Sequence, residues 1–179
     1  MPRERSRLPI DPGVDIGHVH LKTADIERVR AFYVDILGFD VVLQRPDSLF
    51  LAAGGYHHRL GFNTWESRGG GPPPPGTTGL YHVAIRYPTR GALGDAVRRL
   101  IEAGWPLDGV NDHGTHEALY LSDPDGNGLE LCWDRPPEQW PLDDEGHMAF
   151  GHRRLDIQGL LAEGVRYRDV RGSEEAAEA

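Results

Sequence analysis

Cysteine is nearly absent. Cys132 is the single one in 179 residues, which excludes an intramolecular disulfide framework. Long apolar runs are missing too: no stretch approaches the roughly 18 residues of a membrane-spanning helix. Positive charge is scarce, with 19 Lys and Arg against 28 Asp and Glu and a net charge of -9. Without a basic stripe, nucleic acid and anionic membrane surfaces are excluded as main partners. The charged start, Met1 to Arg7, leads into no apolar run, so no secretory signal is read. These absences together predict a cytoplasmic protein. What is present is a 39% hydrophobic fraction, enough for the core of one domain of ordinary size.

Two stretches look like copies of one unit. The first runs His18-Val19-His20-Leu21, a helix-like stretch, then Gly38-Phe39. The second runs His82-Val83-Ala84-Ile85, a helix-like stretch, then Gly104-Trp105. In the first copy, residues 16–23 alternate and read as a strand. Asp25 caps a helix whose apolar stripe is Ile26, Val29, Phe32, Tyr33, Ile36 and Leu37, and Gly38 ends it. Strands follow at 39–45, 48–53 and 56–64. In the second copy a strand covers 80–87. Thr89 caps a helix with the stripe Leu93, Ala96, Val97, Leu100 and Ile101, and strands follow at 105–110, 116–122 and 128–134. Each half is thus β-α-β-β-β. A half buries little alone, so the expected fold is α+β, with two βαβββ modules forming a curved sheet cavity.

The remaining segments are of other kinds. Residues 1–13 read as a loose N-terminal arm. The module domain covers 14–135, its modules spanning 14–67 and 80–135. Residues 68–79, rich in Gly and Pro, read as the linker between them. Residues 136–179 carry ten acidic and five basic residues and few large apolar ones. They are expected to hold a short docking helix around Leu155, Ile157, Leu160 and Leu161, and a disordered acidic end from Gly172 to Ala179.

His18 and His82 sit at equivalent points of the two repeats. Glu130 lies on the closing strand of the second, where alternation puts it on one face with Cys132. Two imidazoles and one carboxylate suit Fe(II) or Mn(II), occupying one face of an octahedron and leaving the other open. The bland reading of each residue is a hydrogen-bonded or surface position. Glu130 faces away from Leu129 and Leu131, which is compatible with solvent as well as with a site, and His20 shares the His18 face as an alternative ligand.

His18-Val19-x-Leu21, the step from His18 to Asp25, Phe32-Tyr33…Leu37-Gly38-Phe39, and Asp123-Pro124-Asp125-Gly126-Asn127…Glu130 resemble the vicinal oxygen chelate superfamily. This superfamily includes glyoxalase I, fosfomycin resistance enzymes, bleomycin-binding proteins and extradiol dioxygenases. The resemblance covers roughly residues 14–135. It implies paired βαβββ modules around a metal, with His18, His82 and Glu130 as ligands. A finer match concerns Thr77 to Ala84, Asn111-Asp112-His113-Gly114, Glu117 to Leu131 and Trp133-Asp134-Arg135-Pro136, continued by Leu155-Asp156-Ile157-x-Gly159-Leu160-Leu161-Ala162-Glu163. These segments resemble the first half of catechol 2,3-dioxygenases of the Bacillus type. Such enzymes carry a second pair of modules; this sequence holds one pair, with the ligand set complete within it.

The resemblance implies a mononuclear Fe(II)-dependent extradiol ring-cleaving dioxygenase acting on a catechol-like aromatic and dioxygen, as a homodimer. It also implies an acid–base residue, a histidine, which titrates near neutral pH. His58-Arg59-Leu60-Gly61 resembles the segment that supplies it, with His57 as the alternative if the register differs by one. Tyr120, ten residues before Glu130, matches an active-site tyrosine, and His113 a further pocket residue. The bland readings are exposed edge positions for His57 and His58 and a barrel-filling role for Tyr120. Trp65, Trp105, Trp133 and Trp140 are either pocket walls or core. Two other functions fit the fold. One is a glyoxalase-like lyase or isomerase using Zn or Ni, disfavoured because His57-His58-Arg59-Leu60-Gly61-Phe62 offers no fourth carboxylate ligand. The other is a non-catalytic small-molecule-binding resistance protein.

Overall fold

A computed structural model describes residues 9–178. The expected arm falls partly outside them, at residues 1–8; residues 9–16 are exposed and form no strand or helix. The order of elements is β1 (Val19–Lys22), α1 (Ile26–Arg30), a π-helical segment (Ala31–Ile36), β2 (Asp40–Arg45), β3 (Ser48–Ala52) and β4 (Leu60–Asn63). The second module repeats it as β5 (Val83–Arg86), α2 (Arg90–Glu102), β6 (Gly109–Asp112), β7 (His116–Ser122) and β8 (Gly128–Asp134). The fold is α+β, two βαβββ modules with one four-stranded sheet each. The sheet orders are β1-β4-β3-β2 and β5-β8-β7-β6, so the first strand of each module lies at a sheet edge beside the last, in parallel. Residues 68–81 between the modules are exposed and carry no helix or strand.

Local chemistry explains the elements. Asp25 accepts the Arg28 N–H at 3.1 Å and Thr89 the Ala92 N–H at 3.1 Å, so both helices begin at side-chain caps. Gly38 and Gly104 end them at φ of 85° and 67°, which favours glycine. The first helix differs from expectation. After one α turn it widens, with Leu37 N–H bonded to the Phe32 carbonyl. This π geometry lets the neighbours Phe32 and Tyr33 both bury fully. The strand expected at 56–64 is confined to Leu60–Asn63, because residues 53–57 bend through Gly54 at φ 71°.

One face of each sheet makes a shared core. Leu49, Leu51, Leu60 and Phe62 from the first sheet meet Leu119, Leu121, Leu129 and Leu131 from the second through Val29, Phe32, Tyr33, Leu93, Val97 and Leu100 of the helices. The modules are also joined by polar contacts. Tyr33 donates to Asp123 Oδ2 at 3.0 Å. Asp125 reaches Thr23 Oγ1 at 2.5 Å, the Ala24 N–H and Arg28.

The C-terminal extension differs most from its sequence reading. The docking helix is not short: α3 (Ile157–Glu178) has 22 residues and takes in most of the stretch expected to be disordered. It lies against α2, burying Leu160, and Gly94 and Gly164 meet at the crossing. A Cβ on Gly94 would stand 2.2 Å from the Leu160 carbonyl oxygen. Close backbone packing at these glycines adds to the burial of Leu160 and the packing of Ile157 and Leu161 in holding this helix.

Candidate metal and substrate site

The faces turned away from the core carry the histidines. On the second sheet, Ala84 of β5 pairs with Glu130 of β8, and Glu130 with Tyr120 of β7. His82, one residue before β5, shares this face, and its Nε2 lies 3.0 Å from Glu130 Oε2. Glu130 does not face open solvent: its side chain is 9% exposed. The turn ahead of β8 fixes where the strand that carries Glu130 begins. Asp123 accepts from the backbone N–H groups of Asp125 and Asn127 at 2.9 and 2.8 Å and from Asn127 Nδ2 at 2.9 Å. Gly128 is needed where β8 passes β5, since a Cβ there would lie 2.1 Å from the Tyr81 carbonyl oxygen.

Around Glu130 stands a polar cluster larger than the sequence reading anticipated. Tyr120 Oη is 3.3 Å from Glu130 Oε1 and 2.8 Å from His113 Nε2. His113 Nδ1 lies 3.1 Å from the Gly151 carbonyl oxygen, an acceptor, so Nδ1 carries the proton. Neutral His113 then presents a bare Nε2, and the Tyr120 hydroxyl donates there, along the shorter of its two contacts. Burial, followed by the nearby His116, lowers the His113 pKa and favours this neutral form. Burial and then the Glu130 charge push the Tyr120 hydroxyl up to about 12. His116 Nε2 also meets Glu130 Oε1, at 3.1 Å, and its ring stacks on His113 at 4.5 Å. His152 comes from the C-terminal extension, its Nδ1 2.7 Å from Asn111 Nδ2, beside the bridge between Asp112 and Arg153.

Sequence reasoning missed His116 and His152. For His116 a signal existed: it alternates with Ala118 and Tyr120 on one strand face. For His152 there was none, because a loop residue 22 positions beyond Glu130 reaches the site through tertiary contact alone.

The first sheet holds a second histidine group. The rings of His18 and His58 are 4.5 Å apart, and His57 Nδ1 approaches His58 Nδ1 at 2.7 Å. His57 lies against Tyr56 instead, ring to ring at 4.2 Å, so His58 is the one beside His18. His20 turns to Asn63 Nδ2 at 2.9 Å and to Trp65. Burial, then the neighbouring His18, His57 and His20, lower the His58 pKa. Of the tryptophans, Trp105 packs on Phe32 and Trp133 on the core, whereas Trp65 is exposed.

The structure therefore brings His82, Glu130, Tyr120 and His113 together, and His18 with His58 apart from them. Among the described residues no group of three or more His, Cys, Asp or Glu side chains gathers closely enough to hold a metal ion. The donor chemistry still fits one in part. An imidazole nitrogen and a nearly buried carboxylate oxygen 3.0 Å apart are donor types suited to a first-row divalent ion.

Comparison with known proteins places this architecture. The model of the glyoxalase/bleomycin resistance protein/dioxygenase superfamily matches residues 15–131. The chain belongs to that superfamily. Within it, the chain is 42% identical over 148 residues to a catechol-2,3-dioxygenase of Bacillus subtilis (strain 168), covering 83% of this chain and 51% of the relative. It is 36% identical over 118 residues to biphenyl-2,3-diol 1,2-dioxygenase 3 of Rhodococcus globerulus, covering 65% of this chain and 61% of that one. The chain thus spans about half the length of the first of these superfamily relatives. Among solved superfamily structures, a glyoxalase/dioxygenase from Nostoc punctiforme aligns with a TM-score of 0.59 at 20% identity, over 73% of this chain and 99% of that one. A lactoylglutathione lyase from Agrobacterium tumefaciens aligns at 0.55 and 21%, over 69% and 96%. At such identities these two structures speak for the fold alone. Among the described residues no helix is long and apolar enough to cross a membrane.

Proposed function

We propose that the protein is an extradiol dioxygenase that opens the ring of a catechol-like aromatic at an Fe(II) centre, with Mn(II) as the alternative metal. The observation that carries this reading is the His82–Glu130 pair, 3.0 Å apart on the face opposite the core. The 42% identity to a catechol-2,3-dioxygenase supports the choice of chemistry. His82 and Glu130 are two ligands and His18 is the third. Fe(II) held there would supply the electron exchange between a catechol and dioxygen.

The protein's own groups do the rest. Tyr120, its proton engaged by His113, offers a hydroxyl oxygen lone pair to a catechol O–H and so orients the ring. His58, neutral near pH 7 because its pKa is lowered, accepts a catechol proton and later returns it. Trp65 and Phe50, beside His20 and His58, give the ring an apolar wall.

His18 reaches the other two ligands from a second copy of the chain, in a homodimer. Three observations support this. His18 stands just before the edge strand of the first sheet, beside His58, whereas His82 stands just before the edge strand of the second. No three-residue metal group forms among the described residues. The segments leading into both histidines expose large apolar side chains, Ile16 at 78% and Leu80 and Tyr81 at 51% and 90%, which an isologous partner would cover.

The test is oxygen uptake by protein loaded anaerobically with Fe(II), against a panel of substituted catechols. Uptake matched by a yellow ring-opened product is the expected result. Iron bound without uptake for any catechol would overturn the dioxygenase reading.

A further inference from the structure

Glu130 is ringed by hydrogen-bond donors, yet only one of them remains committed to it once a metal arrives. His82 Nε2, 3.0 Å from Oε2, must give up its proton to become a ligand. The Tyr120 proton goes to His113 Nε2 at 2.8 Å rather than to Oε1 at 3.3 Å. That leaves His116, whose Nε2 lies 3.1 Å from Oε1.

The surroundings fix which His116 nitrogen carries the proton. A carboxylate only accepts, so Nε2 is the donor. In that tautomer Nδ1 accepts from the Thr115 hydroxyl, 2.9 Å away on a residue 4% exposed. The ring plane is set by stacking on His113, at an interplanar angle of 22°. The reach to Glu130 is made possible by Ala118. It lies between His116 and Tyr120 on the same strand face, opposite Cys132, and its small side chain leaves the diagonal open.

We infer that His116 is a positioning residue for the metal ligand Glu130: its Nε2–H holds Oε1, so that Oε2 alone is turned toward His82 and the ion. This rests on the reading of His82 and Glu130 as ligands. Glu130 would then offer a bound ion one oxygen, Oε2, rather than both. Hydrogen-bond partners of metal ligands typically contribute about 10- to 100-fold in metal affinity.

The experiment is anaerobic Mn(II) titration of the full chain, read by calorimetry and by the Mn(II) paramagnetic resonance spectrum, for wild type, His116→Leu, His116→Gln and Thr115→Val. Thermal unfolding of each variant checks the fold. His116→Leu is expected to bind the same number of ions about 10- to 100-fold more weakly, with a changed spectrum. His116→Gln, which restores an N–H donor, is expected to recover most of the affinity. Thr115→Val, which frees the ring to change tautomer, is expected to fall between, and it keeps the test decisive if His116→Leu does not fold. Wild-type affinity and spectrum in the variants would overturn the positioning role. So would loss of the bound ion altogether in His116→Gln, which would make His116 itself a ligand. Absence of Mn(II) binding by the wild-type chain would be a different failure: it would overturn the metal reading, and the role of His116 with it.

Discussion

His82 Nε2 and Glu130 Oε2, 3.0 Å apart, belong to residues 48 positions apart in sequence and are brought together by the parallel pairing of β5 with β8. The imidazole and the carboxylate satisfy each other here, and on the proposed reading both would turn to a bound metal as ligands. His82→Ala and Glu130→Ala are each expected to abolish stoichiometric Fe(II) or Mn(II) binding, as is His18→Ala. Equilibrium dialysis against limiting metal measures this. Retention of one ion per chain in any of the three variants would remove that residue from the ligand set.

The origin of His18 is testable without a structure of the assembly. When His18→Ala and His82→Ala chains are produced together, a heterodimer holds one intact site if each site draws His18 from one copy and His82 from the other. Random assortment then gives about a quarter of the wild-type metal per chain. A site built within one chain gives none, and a co-expressed mixture without metal would place all three ligands in the same chain.

His58→Phe should leave the metal in place, because the phenyl ring can keep the packing against His18 and Phe50. Turnover is expected to fall about 10²- to 10⁴-fold, the usual worth of a positioned acid–base group. Oxygen consumption at saturating catechol is the readout, with metal content measured on the same sample. Wild-type turnover would exclude His58 and leave His57 to be tested the same way.

Much of this fold was legible because the sequence repeats itself. The caps at Asp25 and Thr89, the terminal glycines Gly38 and Gly104, and the alternation of β8 are local signals that the tertiary structure obeys. The π segment was not legible, since Ile26, Val29, Phe32 and Tyr33 fit an α stripe equally well. Nor was α3, in which Gly159, Gly164 and Gly172 argue against a helix by intrinsic propensity. Packing on α2 outweighs that preference. In the site, repeat symmetry made His18 and His82 equivalent in sequence, but equivalence sets no distance between two sheets. The contact of His116 with Glu130 crosses a diagonal past Ala118, which alternation hints at and only side-chain packing reveals.

The Tyr33–Asp123 bond couples the modules and is expected to be a stability determinant. Tyr33 is fully buried and Asp123 4% exposed, and the carboxylate keeps three other donors when the hydroxyl is removed. Tyr33→Phe should therefore cost about 2 kcal/mol, the net value of a hydrogen bond to a charged group. At this chain length that corresponds to a fall in Tm of roughly 4–8 °C. Scanning calorimetry checks it, and an unchanged Tm would mean that the bond adds nothing to the joint between modules.

Replacing glycine with alanine inside a helix ordinarily stabilises it by about 1 kcal/mol. At Gly94 the sign should reverse. A Cβ there would lie 2.2 Å from the Leu160 carbonyl oxygen and 2.9 Å from the Gly164 nitrogen, both backbone atoms of α3 that can yield only if the helices separate. Gly94→Ala is expected to cost about 1–3 kcal/mol through overpacking. Gly172, further along α3, has nothing within 4 Å of an added Cβ, so Gly172→Ala should hold or raise the melting temperature. Measured together, the two variants separate helix propensity from backbone contact. If both raise the melting temperature, α3 does not dock on α2 through this glycine pair. A drop in Gly94→Ala alone would show that the C-terminal extension is an integral layer of the fold.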